Sequence, residues 1–537
     1  MNRTVDAVVV GSGHNGLVAA AYLARAGWEV EVLERNAVAG GAIATEELTE
    51  PGFKHDTFSS WHPLFHISGA WAELGDELAA HGLRYADTPD ATTAGVTPDG
   101  RAIVAYRDPG KTVEGFAPPD RDAYMRELEE FGASIGTLGE LLGTELHSLS
   151  AAKLAWKLRR QLGHRDAIGL AGGVVSSARA WYDTRFEGRE VSDLYAAWAL
   201  HTGLAPDEAG SGFQSLAIAG TLHQIGLPVV EGGSLGFVRA FEGLIGAHGG
   251  KVTTGVDVSR ITVRAGAAAG VVTGDEEIVA RRAVIANVTP TQLYGRLLPD
   301  GAAPTDAVRD GKRYRYGTRS GTQIHVALKE PLRWKDERLN DVAIVHLCDG
   351  VDGVSLACAQ ATAGLLPQDP TVVVGQPARV DPSRCPDGAG ILWIQLQEVP
   401  HRPRGDAAGE IDVGDGTWTD ELTAAYAERV LAKLEPHLDN WPAARGGAYV
   451  LNPDELERRN PNLVNGDIYA GSCELGQAYL WRPMPRYGSH ATPVKNLFMV
   501  GAATFPGPGL NAASGRIVAQ RLLNGGLFRK LDIRSNF

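Results

Sequence analysis

The chain has 537 residues, more than one hydrophobic core usually organises, so we expect two or more structural units. An apolar content of 44% with 21% charged residues is typical of a soluble globular protein, and the net charge of −13 disfavours nucleic acid as a partner. The four cysteines include no C-x-x-C pair, which excludes disulfide reductase chemistry, and no Cys/His spacing indicates a metal. No signal peptide is visible, so we expect a cytoplasmic location.

The first informative segment is a strand, a glycine loop and a helix at the start of the chain. Val5–Val10 is a β-branched apolar run typical of a buried parallel strand. It leads into a G-x-G-x-x-G motif formed by Gly11, Gly13 and Gly16. These glycines allow a tight turn, close approach to a pyrophosphate and close packing of the next helix. That helix, predicted over Leu17–Ala26, would direct its N-terminal amides at the phosphates.

An acidic residue follows where dinucleotide-binding folds hold a ribose. Val30–Leu33 is a second predicted strand, and Glu34 stands at its end, eighteen positions after Gly16. This register indicates a dinucleotide site, whereas a glycine turn in an unrelated α/β unit would leave Glu34 unexplained. The pair Gly40-Gly41 is typical of FAD enzymes and unusual in NAD enzymes, with an ordinary surface turn as the alternative.

A second glycine-rich motif lies near the end of the chain. The predicted strand Leu497–Val500 runs into a segment with three glycines, Gly501, Gly507 and Gly509, and a helix is predicted over Ala513–Leu523. One motif can bind the nucleotide half of a cofactor while the other closes over its reactive ring. The two ends of the chain should therefore meet in the fold.

The middle of the chain carries weaker signals. Residues 121–224 have a mostly helical pattern, and residues 300–484 have a mixed α/β pattern. A helix is predicted over Phe237–His248, and strands are predicted over Ala102–Tyr106, Lys251–Thr254, Val256–Val263, Gly270–Thr273, Ile278–Ala286, Thr322–Leu328 and Ile391–Glu398. In the last of these strands we interpret Gln395 and Gln397 as solvent-facing, with a polar lining as the alternative.

The segment Lys153–Arg160 is basic and amphipathic. Helical periodicity places Lys153, Lys157 and Arg160 on one face, apart from Trp156. Such a helix fits peripheral contact with a membrane surface, and it equally fits a solvated face of a substrate domain. Both interpretations stay open.

Three blocks of sequence frame nearly the whole chain and carry a family resemblance. They are residues 11–42, residues 228–290 with Gly232-Gly233-Ser234-Leu235 and Ala286-Asn287-Val288-Thr289-Pro290, and residues 466–515 with Gly466-Asp467-Ile468-Tyr469-Ala470-Gly471, Gln477 and Arg482-Pro483. The chain resembles the bacterial phytoene desaturase and carotene ketolase group of FAD-dependent oxidoreductases. It is most similar to the branch containing pyridine nucleotide-disulfide oxidoreductase domain-containing protein 2. Desaturases of the group often have Asp-x-Gly where this chain has Asp56-Thr57-Phe58, which weakens transfer of carotenoid specificity.

The resemblance implies an α/β fold in two parts. The first is a Rossmann-like FAD-binding domain of the GR2 type, built from the discontinuous segments 1–85, 225–300 and 485–537. The second is an inserted mixed α/β substrate-binding domain, residues 86–224 and 301–484, with a helical cap region at about 121–224.

The motifs and the resemblance together name the candidate FAD-binding residues. Val256 would contact the adenine end through its backbone, and the last five residues of the set would lie near the isoalloxazine ring. The set is Gly11, Ser12, Gly13, Asn15, Gly16, Glu34, Arg35, Gly40, Gly41, Ala42, Ser60, Trp61, Val256, Gly501, Ala502, Gly509, Leu510 and Asn511.

Four residues are candidates for the chemistry itself. His62, His66 and Glu474 could each act as a base, and His62 is the first choice because it follows the segment implied to pass the flavin face. The alternative for each is a hydrogen-bonded structural residue. Arg482 could hold a substrate carboxylate or the pyrimidine edge of the flavin, or form an interior ion pair.

We therefore expect a dehydrogenase or oxidase that acts on a largely apolar small molecule, such as an isoprenoid or another secondary metabolite. A second G-x-G-x-x-G motif for NADPH is missing, so O2 or a quinone is the expected electron acceptor. The alternatives are a redox-neutral flavin-dependent isomerase or cyclase, ketolase-type oxygenation, and a non-catalytic FAD-bound module. The substrate and the oligomeric state stay open.

Overall fold

The first strand, Arg3–Val10, lies inside a seven-stranded sheet in the computed structural model, which describes residues 3–525. Its two neighbours, Val30–Leu33 and Glu276–Ala286, run parallel to it. Both faces of the central strands are covered, which is why their sequences are almost continuously apolar. We call this sheet the nucleotide sheet, and its strands in spatial order are Arg260–Arg264, Ala267–Thr273, Glu276–Ala286, Arg3–Val10, Val30–Leu33 and Lys251–Thr253, with Leu497–Met499 paired to Glu276–Ala286.

A second seven-stranded sheet is built from the other parts of the chain. It is antiparallel except where Ile344–Leu347 pairs in parallel with Ala91–Val96. We call it the cavity sheet, and its strands in spatial order are Arg445–Leu451, Ser320–Leu328, Gly390–Val399, Val372–Gly375, Ile344–Leu347, Ala91–Val96 and Ala102–Tyr106.

Helices cover both sheets and form a layer of their own between residues 118 and 225. Short two-stranded pairings join Thr45–Glu46 to His55–Asp56, Tyr85–Ala86 to Val229–Val230, and Leu365–Leu366 to Gly405–Asp406. The α-helices are His14–Arg25, Pro63–His66, Gly69–Ala80, Pro109–Val113, Pro118–Leu142, Leu149–Val175, Ala178–Arg185, Glu190–Tyr195, Ser211–Ile225, Leu235–Ala247, Pro290–Gln292, Thr305–Lys312, Gly350–Thr362, Pro377–Val380, Asp420–Ala432, Trp441–Ala444, Pro453–Arg459 and Ala513–Leu523.

The expected α/β fold class is confirmed. The nucleotide sheet draws its strands from the segments 1–85, 225–300 and 485–537, and the cavity sheet draws its strands from 86–224 and 301–484. The exact domain limits stay predictions, and residues 1–2 and 526–537 of the outer segments lie outside the described residues.

One predicted strand begins well after its predicted start, while the strands predicted over Lys251–Thr254 and Leu497–Val500 end one residue early. We predicted Val256–Val263, but the observed strand begins at Arg260. The backbone N–H of Val256 donates to the carbonyl oxygen of Glu34 at 2.8 Å, so this residue joins a loop beside the second strand. The apolar pattern alone does not separate these two arrangements.

A buried ion pair fastens the two parts of the fold together. The carboxylate of Asp56 contacts the guanidinium of Arg384, and both side chains are fully buried. Arg384 Nη2 also donates to the Val230 carbonyl at 2.8 Å, and Ser234 N donates to Asp56 at 2.7 Å. Burial would raise the pKa of Asp56, but the nearby Arg384 charge and these hydrogen bonds hold it below its usual value.

No helix within residues 3–525 combines the length and apolar character needed to cross a membrane.

Candidate functional site

The first glycine loop closes tightly between the strand Arg3–Val10 and the helix His14–Arg25. Gly11 has a φ of 90°, which favours glycine. A Cβ at Gly16 would lie 2.5 Å from the Gly11 carbonyl oxygen, so no larger residue fits there without movement. The loop thus leaves its backbone bare at the N-terminus of a helix, which is the arrangement that binds phosphates.

Glu34 is buried at the end of the second strand and faces this loop. Its Oε2 accepts hydrogen bonds from Ser12 N at 3.1 Å and from Ser12 Oγ at 2.6 Å, and its Oε1 accepts from Asn36 N at 2.8 Å. Ser12 Oγ in turn accepts from Gly40 N at 2.9 Å. These hydrogen bonds link the first glycine loop, the Glu34 carboxylate and the pair Gly40-Gly41 into one wall of the site.

Asn287 braces the loop from the far side, and our sequence analysis did not name it as a site residue. Its Nδ2 donates to the Gly13 carbonyl at 3.1 Å and to the Gly11 carbonyl at 3.3 Å. A Cβ at Gly13 would lie 2.8 Å from this nitrogen. Its position directly after a strand that ends beside the loop was the available signal, within the block Ala286-Asn287-Val288-Thr289-Pro290.

The two ends of the chain meet at this loop, as the paired glycine motifs predicted. Asn15 Oδ1 accepts a hydrogen bond from Gly515 N at 3.0 Å. A Cβ at Gly515 would lie 2.1 Å from the Asn15 carbonyl oxygen, so the first and last helices touch through backbone. The second glycine motif therefore forms a wall of the site that the first motif opens.

One large cavity, about 1390 Å³, runs between the glycine motifs and the cavity sheet. Most of the predicted site residues border it. Those that do are Gly11, Ser12, Gly13, Asn15, Glu34, Arg35, Gly41, Ala42, Trp61, His66, Val256, Arg482, Gly501, Ala502, Gly509, Leu510 and Asn511.

Three predicted cofactor residues, Gly16, Gly40 and Ser60, lie behind the wall and do not border the cavity. Gly16 and Gly40 shape the loops through close backbone packing. Ser60 Oγ donates to Asp56 Oδ2 at 2.6 Å, so this side chain supports the buried ion pair.

His62, the first-choice base, is not placed for that role. Its side chain is fully buried against Tyr85 and Phe237, and it does not border the cavity. Its Nδ1 lies 3.0 Å from Tyr85 Oη. Burial lowers the pKa of His62 to about 3, so the ring stays neutral and is a weak base.

Glu474 does not reach the cavity either. Its side chain is about half exposed and pairs with Arg315 at 2.9 Å. The nearby residues Cys473 and Arg482 do border the cavity, which shows that the chain turns outward at this position.

His66 is the predicted base that does border the cavity. It packs against Trp71 and Tyr85, and burial lowers its pKa below the usual value. The ring is therefore neutral near pH 7, the state in which a histidine can accept a proton.

Arg482 is almost fully buried beside the second glycine motif. Its Nε and Nη2 donate to the Ala502 carbonyl at 2.9 and 2.7 Å, and its Nη1 donates to the Ser472 carbonyl at 2.9 Å. These backbone partners replace the interior ion pair that was the alternative. The guanidinium thus brings a fixed positive charge to the wall formed by residues 501–502.

Gln395 and Gln397 were interpreted as solvent-facing, and this is wrong. Both border the cavity, and Gln397 is buried. The strand Gly390–Val399 is covered on both faces, so its alternate residues point into packed structure on one side and into the cavity on the other.

The residues at the glycine end fit an adenine dinucleotide. They offer a bare backbone loop at a helix N-terminus for a pyrophosphate and the Glu34 carboxylate for a ribose hydroxyl. The cavity then continues past Gly501 and Gly509 to the aromatic side chains Trp61, Trp198 and Trp393, leaving room for a bulky ring system.

This fold and loop define a dinucleotide-binding protein of the Rossmann-like class. Residues 9–78 match the model of an NAD(P)-binding Rossmann-like domain. Relatives cover nearly the full chain. Pyridine nucleotide-disulfide oxidoreductase domain-containing protein 2 of Rattus norvegicus is 28% identical, covering 96% of this chain and 92% of the relative. One of the chains of limonene dehydrogenase from Castellaniella defragrans is 26% identical, covering 94% and 92%. The zeta-carotene-forming phytoene desaturase of Myxococcus xanthus is 26% identical, covering 96% and 93%.

Solved structures show the same fold at low identity. An oxidoreductase from Methanosarcina mazei is 18% identical with a TM-score of 0.61, covering 96% of this chain and 99% of that one. A variant of putrescine oxidase is 16% identical with a TM-score of 0.61, covering 98% and 100%. In sequence and in fold, the chain is similar to oxidoreductases such as the phytoene desaturases. The resemblance predicted from the sequence is confirmed.

Proposed function

We propose that this chain is an FAD-dependent oxidoreductase that dehydrogenates or oxidises a largely apolar small molecule, such as an isoprenoid or another secondary metabolite. O2 or a quinone is the proposed electron acceptor, because the sequence offers no second G-x-G-x-x-G loop for NADPH. The similarity over nearly the full chain to a limonene dehydrogenase and to a phytoene desaturase supports this class of reaction.

The continuous cavity is the observation that carries the proposal. Its volume of about 1390 Å³ exceeds the roughly 300–1,000 Å³ common for single-ligand sites. Dinucleotide-binding groups line one end, and side chains such as Trp61, Trp198 and Trp393 line the other. A cofactor and an apolar substrate can therefore occupy one continuous space.

When bound, FAD would supply the hydride acceptor of the reaction. The protein's part is to orient the substrate and exclude water, which the aromatic lining does. Arg482 would hold positive charge beside residues 501–502, and the neutral His66 could accept a proton released into the cavity.

The visible spectrum of the purified protein tests this proposal. We expect a yellow protein that bleaches without O2 when the right apolar metabolite is added and regains its colour in air. Bleaching by NADPH alone would favour ketolase-type oxygenation, and turnover without bleaching would favour an isomerase or cyclase. A colourless protein that takes up no added FAD would contradict the central claim.

We also propose that the helices Pro118–Leu142 and Leu149–Val175 contact an anionic membrane surface, from which an apolar substrate enters. Leu142 and Leu154 border the cavity, and Leu142 is also exposed, so the two helices lie at its rim. Their exposed apolar side chains include Leu142, Leu149, Trp156, Ile168 and Val175. Basic side chains lie beside them, as where Arg159 sits over the Trp156 ring.

Co-sedimentation with vesicles tests the membrane contact. We expect binding to vesicles rich in phosphatidylglycerol, weaker binding to pure phosphatidylcholine, and loss of binding in a Trp156→Ser, Ile168→Ser variant. The control is Leu356→Ser on the helix Gly350–Thr362, since Leu356 is 59% exposed and Trp156 is 58% exposed. Equal loss in the control, or no binding to either vesicle, would contradict the proposal.

A further inference from the structure

Three glutamine side chains form a row along the wall that the cavity sheet gives to the cavity. Gln323 and Gln395 pair across antiparallel strands, and Gln397 lies two residues further along the same face. Gln397 Nε2 donates to Gln395 Oε1 at 2.9 Å, and Gln395 Nε2 donates to Gln323 Oε1 at 3.2 Å. All three residues border the cavity. We call them the glutamine row.

The two ends of the glutamine row lack partners. Gln323 Nε2 and Gln397 Oε1 are buried and form no hydrogen bond with any residue in the described range 3–525. The two residues are only 3% and 4% exposed. An unpaired buried polar group destabilises the site, so a ligand that pairs with it relieves this cost and is favoured over one that cannot.

The row ends in one unpaired donor and one unpaired acceptor, both enclosed just behind the cavity surface, and a turn of the terminal amide brings either atom to a ligand. Because the three amides can turn over together, the donor can stand at either end without breaking the bonds inside the row. A carbonyl oxygen can accept from the free NH2, and a hydroxyl can pair with either end. The glutamine row therefore suits an uncharged ligand group that contains oxygen, such as a hydroxyl or a carbonyl.

Aromatic side chains surround the glutamine row. Trp393 lies two residues before Gln395 on the same strand face. Trp61 lies beside Trp393, because both side chains approach Gly375. A Cβ added at Gly375 would lie 3.1 Å from Trp393 Cε3 and 3.2 Å from Trp61 Cζ2. Trp61 Nε1 is itself a buried donor with no partner in the described part of the chain. The rest of a ligand held here would meet mainly apolar surface.

A carboxyl group beside the row is that of Glu398, which lies on the opposite face of the strand and accepts a hydrogen bond from Gln397 N at 3.3 Å. Burial raises the pKa of Glu398 to about 7.

Among the described residues, no carboxylate or guanidinium that borders the cavity bonds to a glutamine side chain of the row. Arg482 donates to backbone carbonyls, and Glu140 pairs with Lys157. His201 borders the cavity, and its Nε2 lies 3.1 Å from His346 Nε2. Burial lowers the pKa of His201 to about 3, so this ring carries no charge near pH 7. An ammonium or carboxylate would find no counter-charge at the row.

We infer that the glutamine row is the specificity subsite for an uncharged apolar substrate bearing one alcohol or carbonyl oxygen. This inference rests on the proposed function and narrows its substrate class. The subsite disfavours a pure hydrocarbon, because a hydrocarbon leaves both ends of the glutamine row unpaired. It also disfavours an amine or an acid, because either ligand brings a charge that the row does not compensate.

A matched series of C8 probes tests the inference on the purified full-length protein. The probes are n-octane, 1-octanol, 2-octanone, octylammonium and octanoate, and calorimetry gives each dissociation constant. We expect the ratio of octanol or octanone affinity to octane affinity to be about tenfold higher in the parent protein than in a variant that lacks both row ends, since one good hydrogen bond to a buried group contributes about that factor. The two ions should bind more weakly than the alcohol. Tightest binding of an ion would overturn the inference.

Variants then locate the preference. The double change Gln323→Met, Gln397→Met keeps side-chain volume while removing both free ends. It should abolish the preference for octanol and leave octane binding within about twofold. Gln368→Met is the control, because Gln368 is exposed and does not border the cavity. An unchanged preference in the double variant would also overturn the inference.

The visible spectrum of the same samples separates this inference from the proposed function. A yellow protein without the oxygen preference overturns the subsite alone. A protein that takes up no flavin but keeps the preference overturns the flavoenzyme proposal alone.

Discussion

Asn15 and Gly515 lie 500 positions apart in the chain, yet the side-chain oxygen of one accepts a hydrogen bond from the backbone N–H of the other at 3.0 Å. This contact joins the helix after the first glycine loop to the helix after the second. The two motifs therefore form one site whose geometry depends on both ends of the chain.

Gly16→Ala should weaken FAD binding by about tenfold or more. The added Cβ would lie 2.5 Å from the Gly11 carbonyl oxygen. Relieving such an overlap shifts the loop, at a cost of about 1–3 kcal/mol. Titration of the apoprotein with FAD, followed by quenching of flavin fluorescence, measures the change.

Gly246→Ala is the matched control for this variant. Gly246 lies in the exposed part of the helix Leu235–Ala247, where an added Cβ meets nothing within 4 Å. It should bind FAD normally and be slightly more stable, because alanine favours a helix. Normal FAD affinity in Gly16→Ala would show that the loop does not hold the cofactor.

Asn287→Ala should weaken FAD binding by roughly tenfold while the protein still folds. The change removes two hydrogen bonds that hold the Gly11 and Gly13 carbonyls, each contributing about 0.5–1.5 kcal/mol. The same titration measures it, with Asn524→Ala at the exposed end of the last helix as the control. Equal affinities in both variants would contradict a bracing role for Asn287.

Arg482→Lys should lower stability and flavin retention together. A lysine cannot reproduce the fork of two bonds to Ala502 while also reaching Ser472. Leaving buried carbonyls unpaired costs roughly 2–4 kcal/mol in total. Urea unfolding and the flavin content after gel filtration give the two readouts. Arg264→Lys, on an exposed hairpin ion pair with Glu277, should change neither.

Acid should destabilise the protein partly through His62. Burial lowers the pKa of folded His62 to about 3, whereas the unfolded value is about 6.5. Between these values the unfolded state binds more protons, so the free energy of unfolding falls as pH falls below about 6.5. From pH 7.5 to 5, this one group should remove about 2 kcal/mol.

His62→Phe should remove that share of the pH dependence. Urea unfolding at pH 7.5 and pH 5 would then show a smaller difference for the variant than for the parent protein. His248→Phe is the control, since His248 lies at the surface near Glu77. An identical pH dependence in parent and His62→Phe proteins would show that His62 is not buried in the neutral form.

Local chemistry explains which parts of the structure the sequence predicts well. The strand Val30–Leu33 and the helix Ala513–Leu523 have their predicted bounds because turn-forming residues lie close to them, Gly27 before the strand and Asn524-Gly525 after the helix. The contact between the two ends of the chain was also predictable. The first glycine motif can bind the nucleotide half of a cofactor and the second can close over its ring, so both motifs must lie at one site.

Other features depend on distant packing and were not accessible in this way. Gln395 and Gln397 were assigned to solvent because alternation gives two faces without saying which one is covered. His62 was preferred over His66 although the two are one helical turn apart, and only the packing of Tyr85 and Phe237 decides which ring is sealed off. Glu474 was also named as a candidate base, but its carboxylate pairs with Arg315.

The contact between Asn15 and Gly515 also constrains how the protein is made. A ribosome that adds about 5–20 residues per second needs roughly 25–100 s to cover the interval of 500 residues between them. During that time the first glycine loop exists without the helix that completes it. Cofactor capture is therefore a late event in biogenesis, and a chain halted shortly before residue 515 would have most of its fold and no finished site.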